Sequence, residues 1–169
     1  MQQSAEIPLV EGFTLGPFQT NCYVVRTASS EGCWIVDAGF EPGAMVERVR
    51  GLELSPTAIV LTHAHVDHIA GLGEVKGAFP EAPILIHGAE RAWLGDPRLN
   101  LSAELGLPLR APEAEGLLED GQTLTLGETS WRVIHTPGHS PGGVTLYCEA
   151  GGIALVGDTL FHESIGRYD

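Results

Sequence analysis

The feature that most constrains this chain is a continuous apolar run that leads directly into a cluster of histidines. Residues 59–61 are all apolar without polar alternation, which predicts a strand buried on both faces. Apolar residues then recur at helical spacing over residues 69–79, so a helix is predicted to begin near His68 or Ile69. The residues between these two elements therefore occupy a tight strand-to-helix loop.

Four polar residues of this loop carry the chemistry: His63, His65, Asp67 and His68. Imidazole and carboxylate groups are ligands that zinc, iron and manganese accept readily. In an extended segment His63 and His65 project to the same side, whereas Asp67 and His68 follow the turn and can face a different point. The spacing therefore favours two neighbouring metal ions over a single ion.

Composition limits the partners that this chain can bind. Its 169 residues include 22 acidic and 9 basic side chains, for a formal charge of −13, and Lys76 is the only lysine. Nucleic acid and anionic membranes are therefore poor partners, and a small-molecule substrate is favoured. No apolar run approaches the length of a membrane span, and the first residues lack a signal-peptide pattern. We therefore expect a cytoplasmic protein, whose oligomeric state stays open.

The three cysteines, Cys22, Cys33 and Cys148, are widely separated and lie in strand-like runs. This spacing excludes a C-x-x-C motif and predicts buried, reduced thiols rather than a disulfide framework. The length of 169 residues predicts one domain over residues 1–169, which is large enough to bury a hydrophobic core.

Short strands dominate the predicted elements, and helices are few. Strands are predicted near residues 6–15, 21–27, 33–37, 59–61, 84–86, 123–126, 130–135, 144–148 and 153–156, and helices near 42–51 and 89–94. The irregular, proline-containing segment 95–115, with a short helix near 102–107, is predicted to be a mobile segment over the site. The pattern favours two packed sheets with helices outside.

Three motifs occur in the same order as in a known protein family. They are H-x-H-x-D-H at residues 63–68, T-P-G-H-S-P-G at 136–142 and G-D-T-L-F at 157–161. Together they resemble the metallo-β-lactamase superfamily, and I-G-R-Y-D at 165–169 is similar to its glyoxalase-type branch, the hydroxyacylglutathione hydrolases. The resemblance implies an α/β fold, the αββα sandwich. Two packed mixed β-sheets, one from each half of the chain, would lie between outer helices, with the metal site at one edge between them.

The resemblance also implies an assignment of the metal ligands. The first ion would be held by His63, His65 and His139, the second by Asp67 and His68, and both by a bridging Asp158. Zinc is the expected metal, with one or two ions bound, and iron or manganese stays open. The implied activity is hydrolysis of a thioester, such as a hydroxyacylglutathione, by a metal-bound hydroxide. Asp67 and Asp158 would be the catalytic carboxylates.

Other activities are compatible with the same residues. A persulfide dioxygenase of this family would hold a single iron with His63, His139 and Asp158. A lactonase, a β-lactamase or a nuclease would use the same site. A non-enzymatic binding module is disfavoured, because every available ligand position is filled.

In the resembling family, a further histidine well downstream completes the second metal site. This sequence ends at Asp169, in the middle of a motif, so we expect a C-terminally truncated domain with an incomplete second half. The second ion is then expected to bind more weakly than the first, or to be completed by water or His162.

The remaining polar residues near the motifs have predicted supporting roles. Asp37 closes a strand near the sheet edge and is predicted to orient a ligand or a loop. His87 and His135 lie at strand ends and are predicted to be structural. The resemblance implies that Arg167 and Asp169 support the site.

Overall fold

The computed structural model describes residues 6–168, and the amino-terminal part of these forms a six-stranded sheet. Its strands, in both spatial and sequence order, are β1 Leu9–Leu15, β2 Thr20–Arg26, β3 Gly32–Val36, β4 Ser55–Val60, β5 Ile84–His87 and β6 Gly116–Leu118. The first three strands pair antiparallel, and β3 to β6 pair in parallel. The sheet is therefore mixed, as predicted, and the carboxyl ends of β4 and β5 lie at the same edge.

The second sheet comes from the carboxy-terminal half of the chain. Its strands are β7 Thr123–Leu126, β8 Thr129–His135, β9 Val144–Cys148 and β10 Ile153–Leu155, in the order β10-β9-β8-β7. The resemblance implies a mixed sheet here too, but these four strands pair only antiparallel, because each strand pairs with the one that precedes it in the chain through a hairpin connection. A small hairpin of β11 Leu160–Phe161 and β12 Ser164–Ile165 follows.

The helices pack on one face of the first sheet. They are α1 Gly43–Gly51, α2 Val66–Ile69 and α3 Leu72–Ala78, followed by a 3₁₀ helix over Gly88–Gly95. Their buried side chains, such as Met45 and Leu72, form a core with Ile59 of the sheet. α2 begins slightly earlier than the predicted start near His68, because the extended backbone of His65 already ends the loop.

A second core lies between the two sheets. Trp34 and Val60 of the first sheet and Trp131 and Leu146 of the second are buried there. The two indole rings contact each other at a centroid distance of 5.9 Å. Because successive strand residues point to opposite faces, Ile59 enters the helix-side core and Val60 enters this one. The apolar run that opens the metal loop is therefore buried on both faces, as predicted.

The outer face of the second sheet is polar, with Ser130, Arg132 and Tyr147 exposed. The helices within residues 6–168 contribute their buried side chains to the core on the other side of the molecule, so the described layers are helix, sheet and sheet. None of these helices has the length and apolar character needed to cross a membrane. The three cysteines are free and buried, as predicted.

The segment between the 3₁₀ helix and β6 lacks the short helix predicted near residues 102–107 and forms turns there instead. Two buried polar residues replace helical hydrogen bonds. Asn100 Nδ2 donates to the carbonyls of Trp93 at 3.0 Å and Leu109 at 3.2 Å. Ser102 Oγ accepts from the Leu109 N–H at 2.9 Å. These hydrogen bonds stabilise turns in place of the predicted helix, and the mobility of the segment stays a prediction.

Candidate metal centre

Several connections meet at one edge of the two sheets and carry the predicted ligands. They are the loop after β4 with His63 and His65, α2 with Asp67 and His68, the β8–β9 loop with His139, and the turn after β10 with Asp158. The Val144 N–H donates to the Thr62 carbonyl at 2.9 Å, which ties β9 of the second sheet to the end of β4. All six residues therefore come together at the edge that the resemblance implies.

The first cluster consists of His63, His65 and His139, whose ring nitrogens lie within 4.8 Å of one another. His65 Nδ1 is 2.8 Å from His139 Nε2. His63 Nε2 is buried and has no hydrogen-bond partner among the described residues. A buried polar atom without a partner is destabilising unless a ligand completes it. The cluster therefore has the form of a cation site.

The second cluster consists of His63, His68 and Asp158, whose donor atoms also lie within 4.8 Å of one another. His68 Nε2 is 3.1 Å from Asp158 Oδ1 and 3.5 Å from Asp67 Oδ2. The other oxygen of Asp158, Oδ2, is 3.5 Å from His139 Nε2 of the first cluster. One carboxylate thus faces both clusters, which is the geometry that a bridging ligand requires.

The donor set fits one or two divalent transition-metal ions. Four imidazoles and two carboxylates line the two clusters and their immediate surroundings. Zinc, iron and manganese all accept such ligands, so the residues alone do not select the metal. Asp67 belongs to neither three-residue cluster, but Thr20 Oγ1 donates to its Oδ2 at 2.9 Å and fixes this carboxylate beside His68.

Burial and mutual repulsion disfavour protonation of two histidines in the first cluster. Burial, followed by the neighbouring imidazoles, lowers the pKa of His63 well below its usual value. Burial and then His139 lower the pKa of His65 to about 4. Both rings are therefore neutral at pH 7 and present lone pairs to a metal ion.

His68 has the opposite electrostatic environment. Burial alone would lower its pKa, but the surrounding carboxylates, led by Asp37, outweigh burial and raise the pKa to about 10. Burial acts to raise the pKa of Asp158, but the hydrogen bond from His68 and the charges of the neighbouring histidines together outweigh burial, so this pKa is lowered. A metal ion at the second cluster would therefore compete with the His68 proton for the same carboxylates.

Asp37 contacts His68 on the side of the imidazole that faces away from the cluster. Its Oδ2 is 2.9 Å from His68 Nδ1 and accepts from Thr62 Oγ1 at 2.7 Å, and its Oδ1 accepts from the Thr62 N–H at 2.7 Å. Asp37 is fully buried at φ +60°, a left-handed conformation that aspartate tolerates better than most residues. Because Nδ1 faces this carboxylate, Nε2 is directed towards the cluster. Asp37 therefore lies in the orienting position that the sequence predicts.

A residue that sequence analysis missed connects the histidine loops. Glu90, in the 3₁₀ helix, is fully buried. Its Oε2 accepts from the Ala64 N–H at 2.6 Å, and its Oε1 accepts from the Gly142 N–H at 2.7 Å. One carboxylate thus sets the spacing between the loop of His63 and the loop of His139. No local pattern marks Glu90, since only the pairing of β5 with β4 brings its helix to the site.

The segment after β12 closes over His139. The Arg167 carbonyl lies 3.0 Å from His139 Nδ1 and can accept its proton. A side chain at Gly166 would overlap the carbonyl oxygen of Asp158. The backbone of this segment therefore contacts two predicted ligands, in agreement with the supporting role expected of Arg167. Asp169 lies outside the described residues.

The other histidines that sequence analysis considered lie apart from the two clusters. His87 and His135 stack on each other at a centroid distance of 4.2 Å. His135 Nε2 also bonds to the Pro141 carbonyl at 2.9 Å, and this contact supports the loop that carries His139. His162 is exposed and belongs to neither cluster within residues 6–168. These positions agree with structural roles for His87 and His135.

Residues 15–169 match the family described as the metallo-beta-lactamase superfamily. The chain belongs to the metallo-beta-lactamase superfamily. The match covers every predicted ligand and all strands from β2 onwards, so the superfamily that the sequence resembles is confirmed.

Similar superfamily members are known by sequence and by structure. The chain is 38% identical over 156 residues to the probable metallo-hydrolase YqgX of Bacillus subtilis, covering 92% of this chain and 72% of that protein. The crystal structure of the BLEG-1 B3 metallo-beta-lactamase superposes with a TM-score of 0.88 at 40% identity, covering 94% of this chain and 76% of BLEG-1. The crystal structure of TTHA1623 in a di-iron-bound form superposes with a TM-score of 0.81 at 35% identity. The superposition covers 95% of this chain and 77% of TTHA1623.

The glyoxalase-type branch predicted from the motifs has weaker support than the superfamily. The hydroxyacylglutathione hydrolase GloC of Haemophilus influenzae is 27% identical over 168 residues, covering 95% of this chain and 76% of GloC. YqgX shares more sequence with this chain than GloC does. Superfamily membership is thus established, and the branch stays a hypothesis.

Proposed function

We propose that this protein is a metal-dependent hydrolase that cleaves a thioester, such as a hydroxyacylglutathione. The observation that carries this proposal is the pair of adjacent His/Asp clusters, with Asp158 facing both. Superfamily membership and the relatives named probable metallo-hydrolase support the hydrolase class. The thioester is our own assignment, and the chemistry of the surrounding residues supports it.

The proposed ligands divide between two ions. The first ion would be held by His63, His65 and His139, the second would be held by Asp67 and His68, and Asp158 would contribute to both. An ion bound there supplies Lewis acidity and lowers the pKa of coordinated water from about 16 towards about 7. The side chains of Asp67 and Asp158 are 22% and 23% exposed, unlike the buried His63 and His68. An attacking water can therefore reach these two carboxylates from the open side and be oriented by them.

The residues around the clusters favour a substrate whose leaving group needs no proton. His65 and His68 are both assigned as metal ligands, so neither is free to protonate a leaving group. Burial, followed by Asp37, raises the pKa of the Cys22 thiol to about 12, so Cys22 is not an alternative nucleophile. A thiol has a pKa of about 8.5, and its thiolate leaves without protonation more readily than an alkoxide or an amine.

The test is hydrolysis of S-lactoylglutathione and simple acyl thioesters after reconstitution with zinc, iron or manganese. His63→Ala is expected to abolish turnover and to lower the thermal unfolding midpoint in metal-containing buffer, because His63 contributes to both clusters. The matched control is His162→Ala, which removes an exposed histidine outside the clusters and should preserve both properties. Unchanged turnover in His63→Ala would contradict the proposal.

A second candidate function is β-lactam hydrolysis. The 40% identity to the BLEG-1 B3 metallo-beta-lactamase favours it. Faster hydrolysis of a chromogenic cephalosporin than of any thioester would establish this alternative. Iron retention with oxygen uptake on a persulfide would instead indicate the dioxygenase activity that His63, His139 and Asp158 also suit.

A further inference from the structure

A cleft of about 330 Å³ opens directly onto the two clusters. Its lining includes His65, Asp67, His139 and Asp158 from the predicted ligand set. The other lining residues are mainly apolar and include Phe18, Val66, Leu101, Leu105 and Phe161. A molecule that reaches the clusters through this cleft must therefore contact apolar side chains.

Several of these apolar side chains are unusually exposed. Phe18 is 51% exposed, Leu105 is 43% exposed and Phe161 is 47% exposed. Exposed apolar surface around convergent polar groups is characteristic of a ligand-binding cleft. The cleft adjoins the clusters, because His65 and His139 also line it. These side chains are therefore positioned to contact the substrate itself.

The apolar surface continues beyond the cleft. Val66 also lines a neighbouring groove of about 410 Å³, together with Phe40, Leu107 and Leu109. The rings of Phe18 and Phe40 stack at a centroid distance of 6.0 Å and so join the two walls. Within the described residues, this groove has no charged lining residue. The two cavities share Val66 in their walls, so the groove extends the apolar surface away from the metal clusters.

Leu101, in the cleft wall, has a strained backbone conformation. Its φ is +66°, a left-handed value that is rare for a bulky side chain. The buried neighbours Asn100 and Ser102 fix this backbone, and the Ser102 N–H donates to Asn100 Oδ1 at 3.0 Å. The Asn100 carbonyl also accepts from the Val66 N–H at 2.9 Å, next to the ligand loop. Strain of this kind persists where the surrounding structure enforces it, often at binding sites.

The charges of the cleft do not favour an anionic group. Beyond the predicted ligands, the charged lining residues in the described part of the chain are Glu104 and Arg167, which have opposite signs. Their charges offset one another, and the carboxylates of Asp67 and Asp158 are assigned to metal. The cleft lining therefore adds no net positive charge for recognition of a carboxylate.

We propose that this cleft and the adjoining groove bind an uncharged, apolar acyl chain, and that Leu101 determines specificity for it. The inference rests on the proposed function, because the acyl carbonyl must lie at the metal clusters. The chain would extend from the carbonyl along Leu101 and Leu105, past Val66 and towards Phe40. Preferred substrates are then medium-chain acyl thioesters rather than acetyl thioesters or acyl groups that end in a carboxylate.

The first experiment compares thioesters of one uncharged thiol, N-acetylcysteamine, from acetyl to octanoyl. We expect kcat/KM of the metal-loaded protein to rise about two- to fourfold for each added methylene over several methylenes, as burial of apolar surface predicts. Succinyl and butanoyl thioesters form a matched pair, and the succinyl compound should be the poorer substrate. A flat chain-length series, or a preference for succinyl, would overturn the inference.

Three variants test which residues determine the preference for longer acyl chains. Leu101→Gly removes the side chain where glycine relieves the strained backbone, so the fold should be retained. It should lower the octanoyl-to-acetyl ratio of kcat/KM about tenfold. Leu99→Gly makes the same change on the same segment at a residue that is 41% exposed and does not line the cleft, so the ratio should stay unchanged. An octanoyl-to-acetyl ratio of kcat/KM that equals the wild-type ratio in both Leu101→Gly and Leu105→Ser would also overturn the inference.

A binding measurement separates this inference from the proposed function. Ketone analogues, in which CH₂ replaces the thioester sulfur, are titrated calorimetrically into metal-free protein. Tighter binding of longer chains, lost in Leu101→Gly, would support the acyl site even if no thioester were hydrolysed. Hydrolysis without chain-length dependence in either rate or ketone binding would support the proposed function and overturn the acyl site.

Discussion

At the residue scale, two fully buried carboxylates hold the histidine loops in place. Asp37 bonds to Thr62 and to His68, and Glu90 bonds to the backbone on both sides of the first cluster. Each carboxylate oxygen thus accepts at least one hydrogen bond, which offsets the desolvation of a buried charge. The spacing of the ligands therefore depends on residues that do not themselves belong to either cluster.

Glu90→Gln is predicted to weaken metal binding. The amide supplies one acceptor instead of two, so either the Ala64 N–H or the Gly142 N–H faces an NH₂ group. We expect a loss of stability of about 1–3 kcal/mol and metal affinity lower by about tenfold or more, measured by chelator competition. Glu81→Gln, at an exposed glutamate, is the control and should change neither. Wild-type metal affinity in Glu90→Gln would show that the loops hold their spacing without it.

His68 is predicted to make the stability of the metal-free protein depend on pH. Its pKa is about 10 in the folded chain and 6.5 in the unfolded reference, so its stabilising proton is fully present below pH 6.5 and is lost as pH rises towards 10. The unfolding midpoint should therefore fall by about 3–5 °C per pH unit across this window.

His68→Gln is the control for this pH dependence, and its midpoint should change less over the same range. Saturating zinc should also reduce the slope, because the ion replaces the proton between the carboxylates. Equal slopes for the wild-type and His68→Gln proteins without metal would contradict the assignment of the titration to His68.

At the element scale, the ligands lie on connections whose ends are fixed by strands. The loop after β4 is short because α2 begins at Val66, and the β8–β9 loop is held by β9 pairing to β8. The β11–β12 hairpin then returns the chain to the site, and the Gly166 N–H donates to the Thr159 carbonyl at 3.3 Å. Catalytic groups on short loops between rigid strands are positioned more exactly than groups on long loops.

Gly166→Ala is predicted to disturb the bridging carboxylate. The new Cβ would overlap the backbone carbonyl oxygen of Asp158, which cannot move without shifting its side chain. We expect about 1–3 kcal/mol of destabilisation and weaker binding of metal, measured by thermal unfolding and chelator competition. Gly73→Ala is the control, since a Cβ there meets nothing within 4 Å and α3 gains helix propensity. Equal behaviour of the two variants would refute a supporting role for this hairpin.

At the scale of the whole molecule, the metal centre is shared between the two sheets. The helix-side core and the inter-sheet core both use the first sheet, so we propose that residues 1–169 behave as a single domain. The ligands run from His63 in the first half to Asp158 in the second. Metal binding should therefore stabilise the contact between the halves as well as the loops themselves.

The two metal sites are predicted to differ in strength. The first ion has three histidine ligands, and the second has only His68 and Asp67. Asp158 is a ligand common to both ions. After dialysis of this chain against a mild chelator, metal counting should find about one equivalent retained and the second site empty or partly filled. Retention of two equivalents with equal tenacity would contradict the prediction, and would identify another residue or His63 as a ligand shared by both ions.

Much of the site was predictable from sequence because its ligands are concentrated in short motifs. A buried strand followed by three histidines and an aspartate indicates a metal loop by itself. His139 and Asp158 were assigned through resemblance to the superfamily, and the structure brings both to the same edge. The division of the chain into two sheets, one from each half, was likewise implied by the resemblance, whereas periodicity alone indicates only a mixed α/β fold.

Only the tertiary structure decided which distant residues support the ligands. Glu90 carries no local signal, and its two hydrogen bonds exist only because β5 lies beside β4 and the β8–β9 loop crosses the same edge. The turns that follow Asn100 were predicted as a short helix, because side chain to backbone hydrogen bonds leave no periodic pattern in the sequence. Sequence alone thus determined the ligand types and strand periodicity, which are local properties. The packing of the two sheets decided the support and the cleft wall, because these depend on contacts between residues far apart in the chain.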